Sequence, residues 1–191
     1  ALRSSNPDDF TQTCAALDER SAANDSNVTV TSTLPIMTDN VTFTFGGKSE
    51  TVQLIVVPDD RTNDLDDYVR LEDESKEPLS LRDGDVYLSK SSQLVLGIQP
   101  GDTAHVQDSS LNVAKVKVSD ISLNYLGNTL YMTQGTYERA FGRSARLNGI
   151  FVLLKGSSAD QIAFSKNLKS DGWLTISSTA EHWENYEANF T

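Results

Sequence analysis

The sequence predicts an α+β fold arranged as two lobes, and three observations carry that reading. Strand-like alternation recurs at 28–34, 41–45 and 51–57. Strand–helix units with recognisable caps stand at 85–97 and 129–142, and strands alternate with helices from 149 to 190. At 191 residues the chain is long enough for one domain or two small lobes with a core that needs no staples.

From the N-terminus, Asn6 is an N-cap and Pro7 suits the first helical position. Asp8 and Asp9 favour the helix dipole, and Phe10, Cys14 and Leu17 form one apolar stripe. Residues 28–34 alternate apolar with hydroxyl side chains as a half-exposed strand, which Pro35 is expected to close. Residues 41–45 and 51–57 form a hairpin across Gly46-Gly47, and the continuous run Leu54–Val57 predicts burial on both faces. Residues 58–83 are acidic and read as a loop with a short helix or strand around Tyr68–Leu71.

The centre carries the clearest punctuation. Asp85–Leu88 is a strand, Ser89 caps a helix to Leu96, and Gly97 ends it. Pro100-Gly101 is a turn. Strands follow at Thr103–Val106, Val113–Ile121 and Thr129–Met132. Thr133 then caps a second helix that Gly142 ends, with Met132 and Tyr137 as its hydrophobic staple. A strand at Gly149–Lys155, a helix from Ser158 to Ser170, a strand at Trp173–Ile176 and a polar helix over Thr179–Phe190 complete the pattern.

Composition narrows the function. A net charge of −11 excludes nucleic acid as partner, because phosphate contacts need clustered Lys and Arg. No run reaches the roughly 20 apolar residues of a membrane helix, and no apolar segment follows Arg3 as in a signal peptide. The chain is therefore expected to be either cytoplasmic or a fragment without its targeting segments, and the fragment is favoured. Cys14 is the sole cysteine, so no intrachain disulfide forms. Asn24, Asn27, Asn40 and Asn189 stand in glycosylation sequons, which are only acceptor permits.

Catalytic chemistry is expected to be absent. Cys14 lies on an apolar stripe, His105 and His182 are isolated from one another, and no glycine loop for phosphate is present. One cysteine and two distant histidines make too poor a zinc set. Asp59, Asp60, Asn63, Asp64, Asp66 and Asp67 offer oxygens for calcium, but without the loop spacing or its glycine. A solvated acidic loop is the expectation. No catalytic, cofactor or metal residue is therefore assigned, and no cofactor is expected. Tyr125, Tyr131, Tyr137 and Phe141 are expected mostly in the core, with Trp183 and Tyr186 left for a membrane-proximal or partner contact.

Three segments in order carry a family resemblance. They are Gly84-Asp85-Val86-Tyr87-Leu88-Ser89 with Leu96-Gly97-Ile98-Gln99-Pro100-Gly101-Asp102, then Val116–Ile121, then Asn124–Gly127 through Leu130–Thr133 with Tyr137-Glu138 and Phe141-Gly142. Over most of 83–155 the chain resembles the extracytoplasmic domain of FtsX/MacB-like ABC transporter permeases, in the form found in large permeases of Gram-positive bacteria. The resemblance implies a non-catalytic cell-membrane module lying outside the cell. Residues 1–38 and 148–191 would form a βα-rich membrane-proximal lobe, and residues 39–147 an inserted β-rich lobe. Implied partners are the permease's own membrane helices and, through them, a cytoplasmic ABC ATPase whose motion the domain relays. A second permease copy or an extracytoplasmic partner completes that set. A secreted or cell-surface adhesion domain is the alternative reading, favoured by the Ser/Thr content and acidity.

Overall fold

The computed structural model describes residues 2–4, 29–123, 127–155 and 173–175. In chain order the strands are β1 (Leu2–Ser4), β2 (Thr29–Phe45), β3 (Lys48–Val57) and β4 (Val86–Ser89). Helix α1 (Lys90–Leu96), β5 (Thr103–Gln107), β6 (Val113–Lys117), β7 (Asp120–Ser122) and β8 (Thr129–Thr133) follow. Helix α2 (Gln134–Phe141), β9 (Gly149–Lys155) and β10 (Trp173–Thr175) come last, and a 3-10 helix occupies Asp59–Asp67. The architecture is α+β. Contacts divide the chain into two compact units, one of 1–35 with 147–191 and one of 36–146.

In the first unit the strand order is β10-β1-β9-β2. β1 is antiparallel to β10 (Leu2↔Thr175) and to β9 (Leu2↔Ile150). Thr31 Oγ1 donates to the Leu153 carbonyl at 3.1 Å. The expected helices at 6–21, 158–170 and 179–190 lie outside the described residues.

The second unit is built on β3. It pairs antiparallel with β2 from Met37↔Val56 to Phe45↔Lys48, across a two-residue turn in which Gly46 and Gly47 both have positive φ. Two such residues in succession match the twist of the flanking strands and are open only to glycine without penalty. On its other edge β3 runs parallel to β8, from Gln53↔Thr129 to Val57↔Thr133. The sheet continues through β4 to β7, and β5 with β6 hangs on β2 through Phe43↔Val106. Ser119 N donates to the Val86 carbonyl at 2.8 Å, which draws the chain leaving β6 onto β4.

Register explains the two-sided burial of β3. Leu54, Leu130 and Leu88 form one row, and Val56, Met132 and Val86 the next. All six belong to a core with Phe43, Val106, Val116, Ile121 and Tyr137. Ile55, Tyr131 and Tyr87 line up on the opposite face and are also buried. There the Tyr87 hydroxyl donates to the Ser80 carbonyl at 2.7 Å and lies 2.9 Å from Asp85 Oδ2, tying the 58–83 excursion to the sheet. Leu65, Val69, Leu71 and Leu81 of that excursion are buried.

Several expectations need correction. β2 runs through Pro35 instead of ending there. The proline ring fits an extended backbone, and its missing N–H precedes the β2–β3 ladder. The helical piece of the excursion is the Asp59–Asp67 3-10 helix, and Tyr68–Leu71 forms no element. Leu65, buried at 1 % exposure, anchors it. The single strand expected over Val113–Ile121 is two strands, because the backbone changes partner at Val118–Ser119. Ser89 holds the N-cap position without capping: its hydroxyl accepts from Thr129 N of β8 at 3.1 Å. Thr133 does cap α2, accepting from Thr136 N at 3.3 Å, and Gly142 ends that helix at φ 65°.

Two substitutions separate packing from polarity in this core. Leu54→Ala should cost about 3–5 kcal/mol in urea unfolding, since Leu54 is fully buried in the central row. Tyr137→Phe should be neutral or stabilising by up to about 1 kcal/mol, because the buried Tyr137 hydroxyl has no hydrogen-bond partner among the described residues.

Burial, and then the hydrogen bond to Asp85, push the Tyr87 phenol well above its ordinary value of 10.0. The folded state thus holds that proton more tightly than the unfolded chain. Its contribution is complete below about pH 10 and is lost as pH rises above that value. Unfolding titrations between about pH 8 and 11 should show the decline, and Tyr87→Phe should flatten it.

Candidate interaction surface

Several carboxylates among the described residues close loops. Asp73 Oδ1 accepts from Ser75 N at 2.8 Å and Glu77 N at 2.9 Å. Asp85 Oδ2 accepts from Arg82 N and Asp102 Oδ2 from Gln99 N, each at 2.9 Å. Short polar side chains that bond backbone N–H groups nearby are the ordinary device of Asx turns.

In the acidic run 59–67, Asp59 and Asp64 are engaged. Asp59 Oδ1 accepts from Gly135 N at 3.0 Å, at the start of α2 where the helix dipole favours an anion. Arg61 pairs with Asp64 at 2.5 Å, and Asp83 pairs with Arg139 at 2.6 Å. Gly135 has no Cβ where Asp59, Asp83 and Arg139 converge; one would stand 3.2–3.3 Å from them. A polar hollow of about 360 Å³ lies beside this cluster, lined by Asn63, Asp66, Ser80, Arg82 and Asp83 among others. No group of three or more His, Cys, Asp or Glu among the described residues could hold a metal ion. The run is a docked 3-10 helix and not the loop expected from its composition, while Asp59, Asp60, Asn63, Asp66 and Asp67 are solvent-exposed as expected.

The hairpin formed by β5 and β6 carries an exposed apolar and cationic surface. Asp108, 7 % exposed, organises its loop. Asp108 Oδ1 accepts from Ser110 N at 2.9 Å and Asn112 N at 2.8 Å, while Oδ2 accepts from Asn112 Nδ2 at 3.1 Å and faces Arg143 at 3.6 Å. Asp39 Oδ2 of β2 accepts from both the N–H and the hydroxyl of Ser109. Held this way, Leu111 adopts φ 67° with 76 % of its surface exposed. A left-handed leucine costs roughly 1–2 kcal/mol, and here no burial offsets it.

Beneath the loop stands Tyr137 of α2, stacked on Phe141 with ring centroids 4.8 Å apart. Burial raises its phenol pKa, Arg143 lowers it, and Asp108 and Asp39 raise it. Tyr131 and Tyr137 are core residues, Phe141 packs against the core, and Tyr125 lies outside the described residues.

The outward face of the hairpin is cationic. Cross-strand register sets Lys117 beside Thr103, Lys115 beside His105, and Val113 beside Gln107. On β2 and β3 the rows continue into Thr44 with Ser49 and Thr42 with Thr51. No carboxylate occurs among these residues, although the chain is strongly acidic. Val113 is 59 % exposed. His105 thus stands in a lysine-bearing strand face. Cys14, His182, Trp183 and Tyr186 lie outside the described residues, as do sequons Asn24, Asn27 and Asn189; Asn40 is exposed on β2. The sequence reading passed over Asp108 and Leu111. The turn-forming run Asp-Ser-Ser-Leu-Asn between two alternating strands was the available signal for a closed loop.

No protein family model and no curated protein sequence matches the chain. Among solved structures it is similar to the periplasmic region of MacB from Actinobacillus actinomycetemcomitans. That similarity has 16% identity over 100% of this chain and 92% of the other, with a TM-score of 0.46. It is also similar to the extracellular domain of the noncanonic ABC-type transporter YknZ from Gram-positive bacteria. There the identity is 14% over 86% of this chain and 87% of the other, with a TM-score of 0.46.

Two variants probe the loop. Asp108→Ala should cost about 2–3 kcal/mol and speed amide exchange at Ser110 and Asn112, which lose their acceptor. Leu111→Gly should stabilise by roughly 1 kcal/mol, read as a rise in the urea midpoint, because it removes the left-handed strain and forfeits little burial.

Proposed function

We propose that this chain is the extracytoplasmic domain of an FtsX/MacB-like ABC transporter permease, and that it works without catalysis. The observation that carries the reading is where the three resembling segments fall. Val86, Leu88, Leu96, Ile98, Val116, Val118, Ile121, Leu130, Met132 and Tyr137 come from all three, and all belong to one core. The intervening motif positions are the caps and turns: Gly97, Gly101 and Gly142 have positive φ, and Thr133 caps α2. The resemblance therefore follows the residues that specify one packed framework, and not scattered surface matches.

In this reading residues 1–38 and 148–191 form the membrane-proximal lobe, and residues 39–147 are inserted between its two segments in the chain. Two membrane helices flank the domain, a cytoplasmic ATPase drives them, and the domain relays their movement to cargo or to a partner outside the cell. Rigid cores such as the one around β3 suit that work, because close-packed interiors transmit displacement with little compliance.

The full-length reading frame and the membrane fraction test the proposal together. An apolar helix of about 20 residues should precede residue 1 and another should follow residue 191. A protease added outside intact cells should cut this domain while it remains membrane-bound. A signal peptide and surface anchor in place of those helices would favour an adhesion domain. Turnover by the isolated 191-residue chain on ester or glycoside panels would overturn the non-catalytic reading.

A further inference from the structure

We infer that the outer face of the β5–β6 hairpin, from Lys117 to Leu111, is a docking surface for an acidic protein partner with an apolar recess that accepts Leu111. The inference goes beyond the permease reading and stands on the 36–146 unit alone.

Preorganisation is the first argument. Leu111 is fixed in a left-handed conformation by a loop whose backbone is tied to Asp108 and Asp39, yet its side chain packs against nothing sufficient to bury it. Backbone strain persists where the surroundings over-determine it, and such positions cluster at ligand-contacting sites. An apolar side chain already held in place loses little freedom on binding, so it makes an efficient anchor.

Charge identifies the occupant. Lys115 and Lys117 are exposed on the same outward row as Val113, with His105 beside Lys115. Neither lysine has an ion-pair partner among the described residues, and the same-face rows Thr42 with Thr51 and Thr44 with Ser49 supply no carboxylate. An acidic surface completes this face. A second copy of the chain does not: two-fold pairing of hairpin on hairpin sets lysines against lysines, and like charges directly opposed are destabilising. A lipid surface is the weaker fit, because the chain's net charge of −11 opposes approach to anionic headgroups.

The test titrates the 191-residue chain with a fluorescent amphipathic Glu/Leu peptide and with its Lys/Leu counterpart, following anisotropy and amide shifts. The Glu/Leu peptide should bind with Kd of about 10–500 μM, with shifts confined to 103–117. The Lys/Leu peptide and the Lys115→Glu/Lys117→Glu variant should each weaken binding roughly tenfold or more. Leu111→Gly should weaken binding while raising the unfolding midpoint, a combination that a purely structural role for Leu111 does not produce. Equal binding of both peptides overturns the proposal, as do shifts centred elsewhere or no binding up to about 1 mM. Association with phosphatidylglycerol vesicles in place of the Glu/Leu peptide, or dimerisation through this face in sedimentation, overturns it as well.

Discussion

β3 is the strand on which the 36–146 unit depends. It is clamped between an antiparallel partner, β2, and a parallel one, β8, and from Leu54 to Val57 it buries side chains on both faces. Strands buried on both sides need cover twice, and the chain supplies it from different places. The inner face is closed by β5, β6 and α2, through Val106, Val116 and Tyr137. The outer row, Ile55 with Tyr131 and Tyr87, is met by the acidic excursion, which Tyr87 ties down through Ser80. The excursion therefore has to fold back over the sheet, and its polar composition is compatible with that because Leu65, Val69, Leu71 and Leu81 face inward.

What the sequence disclosed was mostly local chemistry. Gly46-Gly47, Pro100-Gly101 and the Thr133…Gly142 pair set their own geometry, so their positions could be read without knowing the fold. The buried run Leu54–Val57 was equally plain. What stayed hidden was decided by partners remote in sequence. Ser89 looks like a cap, but Thr129 of β8 claims its hydroxyl. Val113–Ile121 reads as one strand, yet hydrogen bonds to Asp102 and Val86 divide it where the apolar phase slips, between Val118 and Ile121. β1 has three residues and no pattern of its own; only its pairing with β9 and β10 makes it a strand. The candidate surface was the least legible, because positive φ at a leucine follows from how Asp108 and Asp39 hold the loop.

The protein also separates its charges by task. Acidic groups are drawn into architecture, as Asp39, Asp59, Asp73, Asp85, Asp102 and Asp108 accept backbone N–H bonds that close loops or begin a helix. The lysines of β6 are left outside that network. Net charge alone would describe this as an acidic protein that repels acidic partners. Among the described residues the distribution leaves a cationic face on β6 beside an apolar tip, and surface recognition follows local potential more than the overall sum.

The parallel seam between β3 and β8 bears on how quickly this unit reaches its native state. A hairpin can zip from its turn, as β2 with β3 can from Gly46-Gly47. β3 and β8 meet only after the whole stretch between Val57 and Thr129 has been gathered in, so loop entropy is lost before the ladder begins to repay it. The same applies to β4 with β7, although over a shorter span. Assembly is therefore slow for a unit of this size, and Leu54–Val57 remains an uncovered, uncharged, β-prone stretch during that interval. A chain built this way gains more from chaperone shielding during synthesis than its finished, highly charged surface would suggest.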